Sequence, residues 1–97
     1  MTLTQRELEA LVNWARSGSR RVRIKFKGLK YSVLISRYVE AVDAAGRRAP
    51  WQVAFGSRPP HDVLSSFSIE EIAVDEAGSS KTFATISDLL KHAGIRR

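Results

Sequence analysis

The hydrophobic positions at the start of the chain follow the period of a helix. Apolar residues recur every three or four positions between residues 8 and 15, with polar residues on the opposite side, which is typical of an amphipathic helix. Thr4 and Glu7 have the spacing of a capping box, so we expect the helix to begin after Thr4. We expect it to end at Gly18, with this glycine in the left-handed conformation.

After residue 20 the period changes from helical to alternating. Val22, Ile24 and Phe26 alternate with basic residues, a pattern that predicts a half-buried strand. The segment from 27 to 30 is predicted to form a two-residue type II′ turn, with Gly28 as the first loop residue. Such a turn sets three apolar pairs opposite each other: Phe26 with Tyr31, Ile24 with Val33, and Val22 with Ile35. Turn and alternation therefore predict the same hairpin register.

The middle of the chain has a weaker pattern. Residues 37 to 43 fit either a helix or a continuing strand, and we favour the strand. The segment from 42 to 47 is typical of a hairpin turn, and it leads to a further predicted strand with apolar residues on alternate positions from 51 to 55. Residues 56 to 61 contain two successive prolines and are predicted to be a loop.

The end of the chain has the pattern of a second capped helix. Thr85 is the expected cap, because Asp88 follows it three residues later and apolar residues then recur at helical spacing. Gly94 is predicted to end this helix in the left-handed conformation. Ile95 can then fold back on Leu90, as in a Schellman motif.

These elements together predict the fold class. Residues 69 to 74 and 81 to 84 are predicted strands joined by a turn at 75 to 78. We therefore expect an α+β fold with a single antiparallel sheet of about five strands, flanked by an N-terminal helix and a short C-terminal helix. The expected order is α-β-β-β-β-β-α. A chain of 97 residues is expected to form one domain, spanning 1–97.

Composition narrows the classes of function. The chain is 43% hydrophobic and 27% charged, which excludes a disordered tail or a collagen-like fibre. It has no cysteine, so disulfides, thiolate nucleophiles and sulfur-ligated zinc are excluded. The first residues are charged and no apolar run approaches the length of a bilayer span. We therefore expect a cytoplasmic location and no membrane partner.

Positive charge is concentrated in the first half of the chain. Sixteen Lys and Arg against ten Asp and Glu leave a net charge of +6. Residues 1–48 contain eleven basic and four acidic residues, whereas residues 49–97 contain five and six. No acidic residue occurs between Ala10 and Val39. Like charges this close along a strand repel each other, so the pattern predicts an anionic partner, either elsewhere in the fold or in another molecule.

The predicted hairpin collects the densest part of this charge. Same-face residues of a strand are roughly 6.6 Å apart, so the cations form a ladder that can hold successive phosphates without reading base sequence. A two-stranded ribbon also fits the width of a DNA major groove. We therefore predict a non-enzymatic module that binds DNA or RNA through the phosphate backbone. The predicted nucleic-acid-binding residues, called here the basic hairpin, are Arg21, Arg23, Lys25, Lys27 and Lys30.

Signals for catalysis are weak. His61, Asp62 and the serines at 65 and 66 supply the residue types of a catalytic triad, but no nucleophile-elbow spacing accompanies them. Two distant histidines, His61 and His92, are too few ligands for a metal site. The sequence has no glycine-rich phosphate loop either. We therefore expect no enzyme activity, no catalytic residue, no metal and no cofactor.

A protein partner is the alternative interpretation of the same surface. The chain would then be an inhibitor or regulator, such as a small accessory protein of a mobile element, that binds an acidic protein surface. Trp14 and an exposed Leu34 beside the basic hairpin would anchor that contact. A homodimer formed through an edge strand or through Leu34 is a further alternative.

Overall fold

The computed structural model describes residues 3–95. Within these residues the helices are α1 (Gln5–Ser17), α2 (Trp51–Phe55), α3 (Pro60–Ser66) and α4 (Ile86–His92). The strands there are β1 (Arg21–Phe26), β2 (Ser32–Ile35), β3 (Val39–Val42), β4 (Arg48–Ala49), β5 (Ile69–Glu76) and β6 (Ser79–Phe83). The predicted α+β class with one antiparallel sheet is confirmed. The described chain has six strands rather than about five, and two further helices lie between β4 and β5.

The sheet is centred on β1. Its strand order is β4-β3-β2-β1-β5-β6, and all neighbours are antiparallel. The predicted hairpin register is confirmed for two of its three apolar pairs, since Val22 lies opposite Ile35 and Ile24 opposite Val33. The ladder ends with Lys25 opposite Ser32, before the third predicted pair, Phe26 with Tyr31. The strand predicted over 37 to 43 is confirmed as β3, and the turn that follows it leads into β4.

The core lies between one face of the sheet and the helices. All four helices contribute buried residues to a single apolar cluster, together with the inward-facing positions of the strands. The opposite face of the sheet is called here the bare face, because none of the helices in residues 3–95 packs its buried residues against it. The fully buried large side chains include Leu11, Val22, Ile24, Val33, Ile35, Val63, Ile72, Val74, Leu89 and Leu90.

The first helix begins as predicted and ends differently. The Glu7 N–H donates to Thr4 Oγ1 at 3.1 Å, and the Thr4 N–H donates to Glu7 Oε1 at 2.9 Å, so the capping box is confirmed. The prediction of a left-handed Gly18 is wrong: its φ is −111°, and Ser19 has the positive φ of 52°. Gly18 instead leaves room for the Arg20 guanidinium, with which a Cβ at this position would collide.

The structure of residues 51 to 66 differs from two of the predictions. The expected strand over 51 to 55 is helix α2, in which Trp51 and Phe55 share a side because they are four residues apart. Alternation and helical spacing both fit so short a segment, and packing of the buried Phe55 against the core decided between them. The expected loop ends earlier than predicted, because Pro60 occupies the first turn of α3, where proline is favoured.

The C-terminal elements agree with the sequence pattern. β5 and β6 are joined by a tight turn in which Ala77 and Gly78 have positive φ, 41° and 83°. Thr85 caps α4 by accepting the Asp88 N–H. The Schellman motif is confirmed, since the Ile95 N–H donates to the Leu90 carbonyl at 2.9 Å.

Both edges of the sheet have features that discourage pairing with another strand. β4 is two residues long and is followed by Pro50. β6 has five residues, and its Lys81 lies opposite the buried Val74, on the face that the helices cover. A lysine directed toward the covered side opposes the addition of a further strand. None of the helices in residues 3–95 is both long and apolar enough to cross a membrane.

Candidate nucleic-acid interface

β1 presents three of the predicted cations on the bare face. Arg21, Arg23 and Lys25 are exposed and alternate with the three buried apolar residues of the strand. Their predicted outward orientation is therefore confirmed. The cause is the two-residue period of a strand, which directs successive side chains to opposite faces.

Lys27 and Lys30 lie beyond the end of β1, and both are exposed. The predicted two-residue type II′ turn is wrong, because a longer connection joins β1 to β2. The Leu29 N–H donates to the Phe26 carbonyl at 3.5 Å. Gly28, with a φ of +74°, is therefore the third residue of this turn, the position at which a type II turn requires a positive φ. The register is unchanged, but both lysines lie at the end of the sheet rather than on its face.

β5 brings carboxylates to the bare face beside β1. Asp75 lies opposite Arg21, and Glu71 lies opposite Lys25. Residues directly opposite in an antiparallel pair have Cβ atoms about 5 Å apart, so each carboxylate lowers the positive potential around its neighbour. Arg23 faces an alanine and has no such neighbour on β5. The sequence-based prediction did not foresee these acids, because more than forty residues separate the two strands along the chain.

The turn between β3 and β4 adds a cation that the prediction missed. This turn lies at the same end of the sheet as the β1–β2 connection, because β2 and β3 are antiparallel neighbours. Arg47 is exposed in it. The Asp43 carboxylate accepts the N–H groups of Ala45 and Arg47 at 2.9 Å each, which holds the turn. Nη2 of Arg23 lies 3.6 Å from the position that a Cβ would take at Gly46, so this guanidinium reaches toward the same turn.

Five exposed cations therefore belong to one end of the sheet, called here the basic end: Arg23, Lys25, Lys27, Lys30 and Arg47. Arg21 belongs to the basic hairpin but lies at the opposite end of β1. Other arginines are engaged, since Arg48 pairs with Glu40 at 3.2 Å and Arg58 with Asp62 at 3.8 Å. No carboxylate oxygen of residues 3–95 lies within 4.0 Å of a basic-end cation.

The apolar anchor expected for a protein partner is not formed. Leu34, predicted to be exposed, is buried with 7% of its surface accessible, although it lies on the bare face opposite Arg23. Val42 on the same face is also buried. Trp14 packs against the core on the other side of the sheet. Trp14 and Leu34 therefore do not form one surface with the basic hairpin.

A second charged cluster lies at the other end of the sheet and is fully paired. The Arg20 guanidinium stacks 4.4 Å from the centre of the Trp14 ring and donates to the Trp14 carbonyl at 2.9 Å. Glu76 accepts from Arg20 Nε at 3.3 Å and lies 2.5 Å from His92 Nε2. The hydrogen bond with His92 holds the pKa of Glu76 below its ordinary value, and Arg20 adds to this effect while desolvation opposes it. Trp14, Arg20, Glu76 and His92 are called here the ion-paired corner.

The residue types of a triad do not form a triad. Ser65 Oγ donates to the His61 carbonyl at 2.8 Å and accepts the Leu3 N–H at 2.8 Å, so backbone groups occupy this hydroxyl. Ser66 Oγ lies 3.3 Å from Asp62 Oδ1 rather than from a histidine ring. Nδ1 of His61 is buried and has no hydrogen-bond partner among the described residues. Within residues 3–95, no three His, Cys, Asp or Glu side chains come together in a way that could hold a metal ion.

What the basic end offers chemically is positive charge in two forms. An arginine guanidinium presents a planar set of donors that fits phosphate oxygens in pairs, whereas a lysine ammonium acts as a mobile point charge. Such an arrangement can hold successive phosphates without distinguishing bases. Comparisons of the chain with protein-family models, with curated proteins and with solved structures give no match.

Proposed function

We propose that the chain is a non-enzymatic module that binds the phosphate backbone of DNA or RNA through the basic end. The proposed set of binding residues differs from the basic hairpin predicted from the sequence. Arg21 contributes less than the other hairpin cations, because Asp75 stands opposite it at the far end of β1. Arg47 joins the site. A cytoplasmic location is part of the proposal, and the absence of cysteine supports it.

One observation carries the proposal. The five basic-end cations are exposed, and within residues 3–95 none has a carboxylate oxygen within 4.0 Å. Unpaired cations that lie close together create a positive potential that attracts a polyanion. Binding then releases the counterions condensed on the nucleic acid. Asp43 is the carboxylate nearest to Arg47 in sequence, and it accepts backbone N–H groups of the β3–β4 turn.

A salt titration tests this proposal directly. Binding of labelled duplex DNA and of single-stranded RNA is measured by fluorescence anisotropy across a range of salt concentrations. If four phosphates are neutralised, the slope of log affinity against log salt is expected to be about −3.6 for duplex DNA. No binding at low salt, or a flat slope, would contradict the proposal and favour an acidic protein as the partner.

A double variant tests the site. Arg23→Ser with Lys25→Ser is expected to weaken binding uniformly across sequences and to reduce the magnitude of the duplex slope by about 1.8, since two phosphate contacts are lost. Arg6→Ser with Lys91→Ser is the matched control, because it removes the same charge from exposed positions on α1 and α4. An equal loss in the control would show that only net charge matters. Unfolding of the first variant would show that its residues are structural.

A further inference from the structure

Two open concavities flank the start of β5. One lies toward the bare face and is lined by Lys25, Glu70 and Glu71, together with residues of β6. The other has a volume of about 590 Å³ and lies where the end of α3, the start of β5 and the start of α4 meet. The two differ in chemistry: the first contains two carboxylates beside its lysine, whereas the second is lined by no ionisable side chain.

The uncharged concavity has an apolar floor and a polar rim. Phe67, Ile69 and Ile86 line it and are only partly buried, so apolar surface remains accessible. Ser68 and Thr85 add hydroxyl groups at exposed positions. Apolar surface with a few polar groups is typical of small-molecule sites. This concavity has no positive charge to bind a phosphate, but its apolar surface can pack against the face of a nucleobase.

This concavity is connected directly to the basic end. The Lys27 N–H donates to the Ser68 carbonyl at 2.9 Å. Phe26, the last residue of β1, is paired with Ile69 on the concavity floor. The backbone of Lys27, a basic-end residue, therefore lies beside Ser68 and Ile69, which line the uncharged concavity.

Resting on the proposed function, we infer that the uncharged concavity holds one unpaired nucleobase of a strand bound at the basic end. The bases of a duplex are stacked and paired, so their faces cannot enter a side concavity unless the duplex opens. The bases of a single strand can turn outward and pack on protein side chains. The module therefore prefers single-stranded nucleic acid over duplex of the same sequence.

The affinities for single-stranded and duplex nucleic acid, measured side by side, test the inference. A labelled single strand of about 12 nucleotides, within the range of single-strand sites, is compared with its own blunt duplex at one low salt concentration. We expect the single strand to bind about tenfold more tightly, which corresponds to about 1.4 kcal/mol and to the stacking of one base. Equal or tighter binding of the duplex would overturn the inference while leaving the proposed function intact. No binding of either form would overturn both.

A filled concavity gives the second test. Ser68→Phe places a large side chain at an exposed rim position, and we expect it to abolish the tenfold preference while duplex affinity stays unchanged. Ser57→Phe, at an exposed position in the loop before α3, is the matched control and should keep the preference. A preference that survives in Ser68→Phe would overturn the inference.

A change to the ligand avoids any effect on folding. A single strand of abasic residues retains the phosphates and lacks the bases. With the unaltered protein, we expect it to bind no more tightly than the duplex. Binding as tight as that of the normal single strand would overturn the inference, because the phosphates alone would then explain the preference.

Discussion

Two adjacent arginines have opposite surroundings in this molecule. Arg20 belongs to the ion-paired corner, where it stacks on Trp14 and donates to Glu76. Arg21, the next residue, is exposed on the bare face, and no carboxylate oxygen of residues 3–95 lies within 4.0 Å of it. The sequence around them, from Ala10 to Val39, contains no acidic residue. Surroundings, rather than residue type, therefore separate a cation engaged in the fold from an exposed one.

The same distinction separates the ion-paired corner from the basic end. In the corner, an aromatic ring, a carbonyl and a carboxylate compensate a half-buried guanidinium. At the basic end, the cations are exposed, and none has a carboxylate oxygen of residues 3–95 within 4.0 Å. A charge that is paired and partly buried contributes to stability, whereas an exposed charge contributes little to stability and remains available to a ligand.

The largest expected effect is a loss of stability on removing Arg20, and removing the adjacent Arg21 should have little effect. Arg20→Ala is expected to lower the free energy of unfolding by about 2 kcal/mol, because the stacking on Trp14 and two hydrogen bonds are lost. For a domain of this size that corresponds to a fall in Tm of roughly 10 °C. Arg21→Ala is the matched control and should change stability by less than about 0.5 kcal/mol. Chemical denaturation measures both, and equal losses would contradict the comparison.

A smaller effect is expected from the carboxylates of β5. Glu71→Gln removes a negative charge opposite Lys25 and should raise affinity for a single strand about twofold, since a unit charge at about 8 Å in water is worth about 0.5 kcal/mol. Asp75→Asn should have less effect, because Asp75 lies at the far end of the face. Glu9→Gln on α1 makes the same charge change on the covered side of the sheet. An equal gain in the Glu9 variant would show that position does not matter.

The smallest effect is the pH dependence of the ion-paired corner. The pKa of Glu76 is below its ordinary value in the folded chain, so its ionised form stabilises the fold at neutral pH. This contribution is complete above the unfolded-state pKa and is lost as the pH falls through the lower folded-state pKa. We therefore expect the difference in stability between the natural chain and Glu76→Gln to be larger at pH 7 than at pH 3. Urea denaturation at both pH values measures it, and a constant difference would refute the assignment.

Local patterns predicted much of the fold. The capping box at Thr4, the β1–β2 register and the Schellman end of α4 all depend on residues close to one another in the sequence. Predictions failed where two local solutions compete. Trp51 and Phe55 fit alternation and helical spacing equally, and contact with the core selected the helix. At the end of α1, Gly18 provides space for Arg20 rather than a left-handed turn.

The candidate site also has features that the sequence predicts and features that depend on tertiary contacts. The outward orientation of Arg23 and Lys25 follows from strand alternation alone, so the sequence was sufficient to predict it. The position of Glu71 beside Lys25 could not be predicted, because it depends on which strand pairs with the free edge of β1. The sequence did contain a signal for Arg47, because this residue lies in a turn that the register places at the same end of the sheet as Lys30.

The amino-acid sequence by itself determined the helix caps, the central hairpin and the presence of a row of outward cations. These depend on short-range hydrogen bonding and on the two-residue period of a strand, both of which involve residues close together in the chain. Only the tertiary structure decided which of those cations acquire partners. The pairing of β5 with β1 places carboxylates opposite two of the β1 cations and brings Glu76 into contact with Arg20. Charge pairing depends on distances of a few ångströms between segments far apart in the chain, and such distances exist only once the chain has folded.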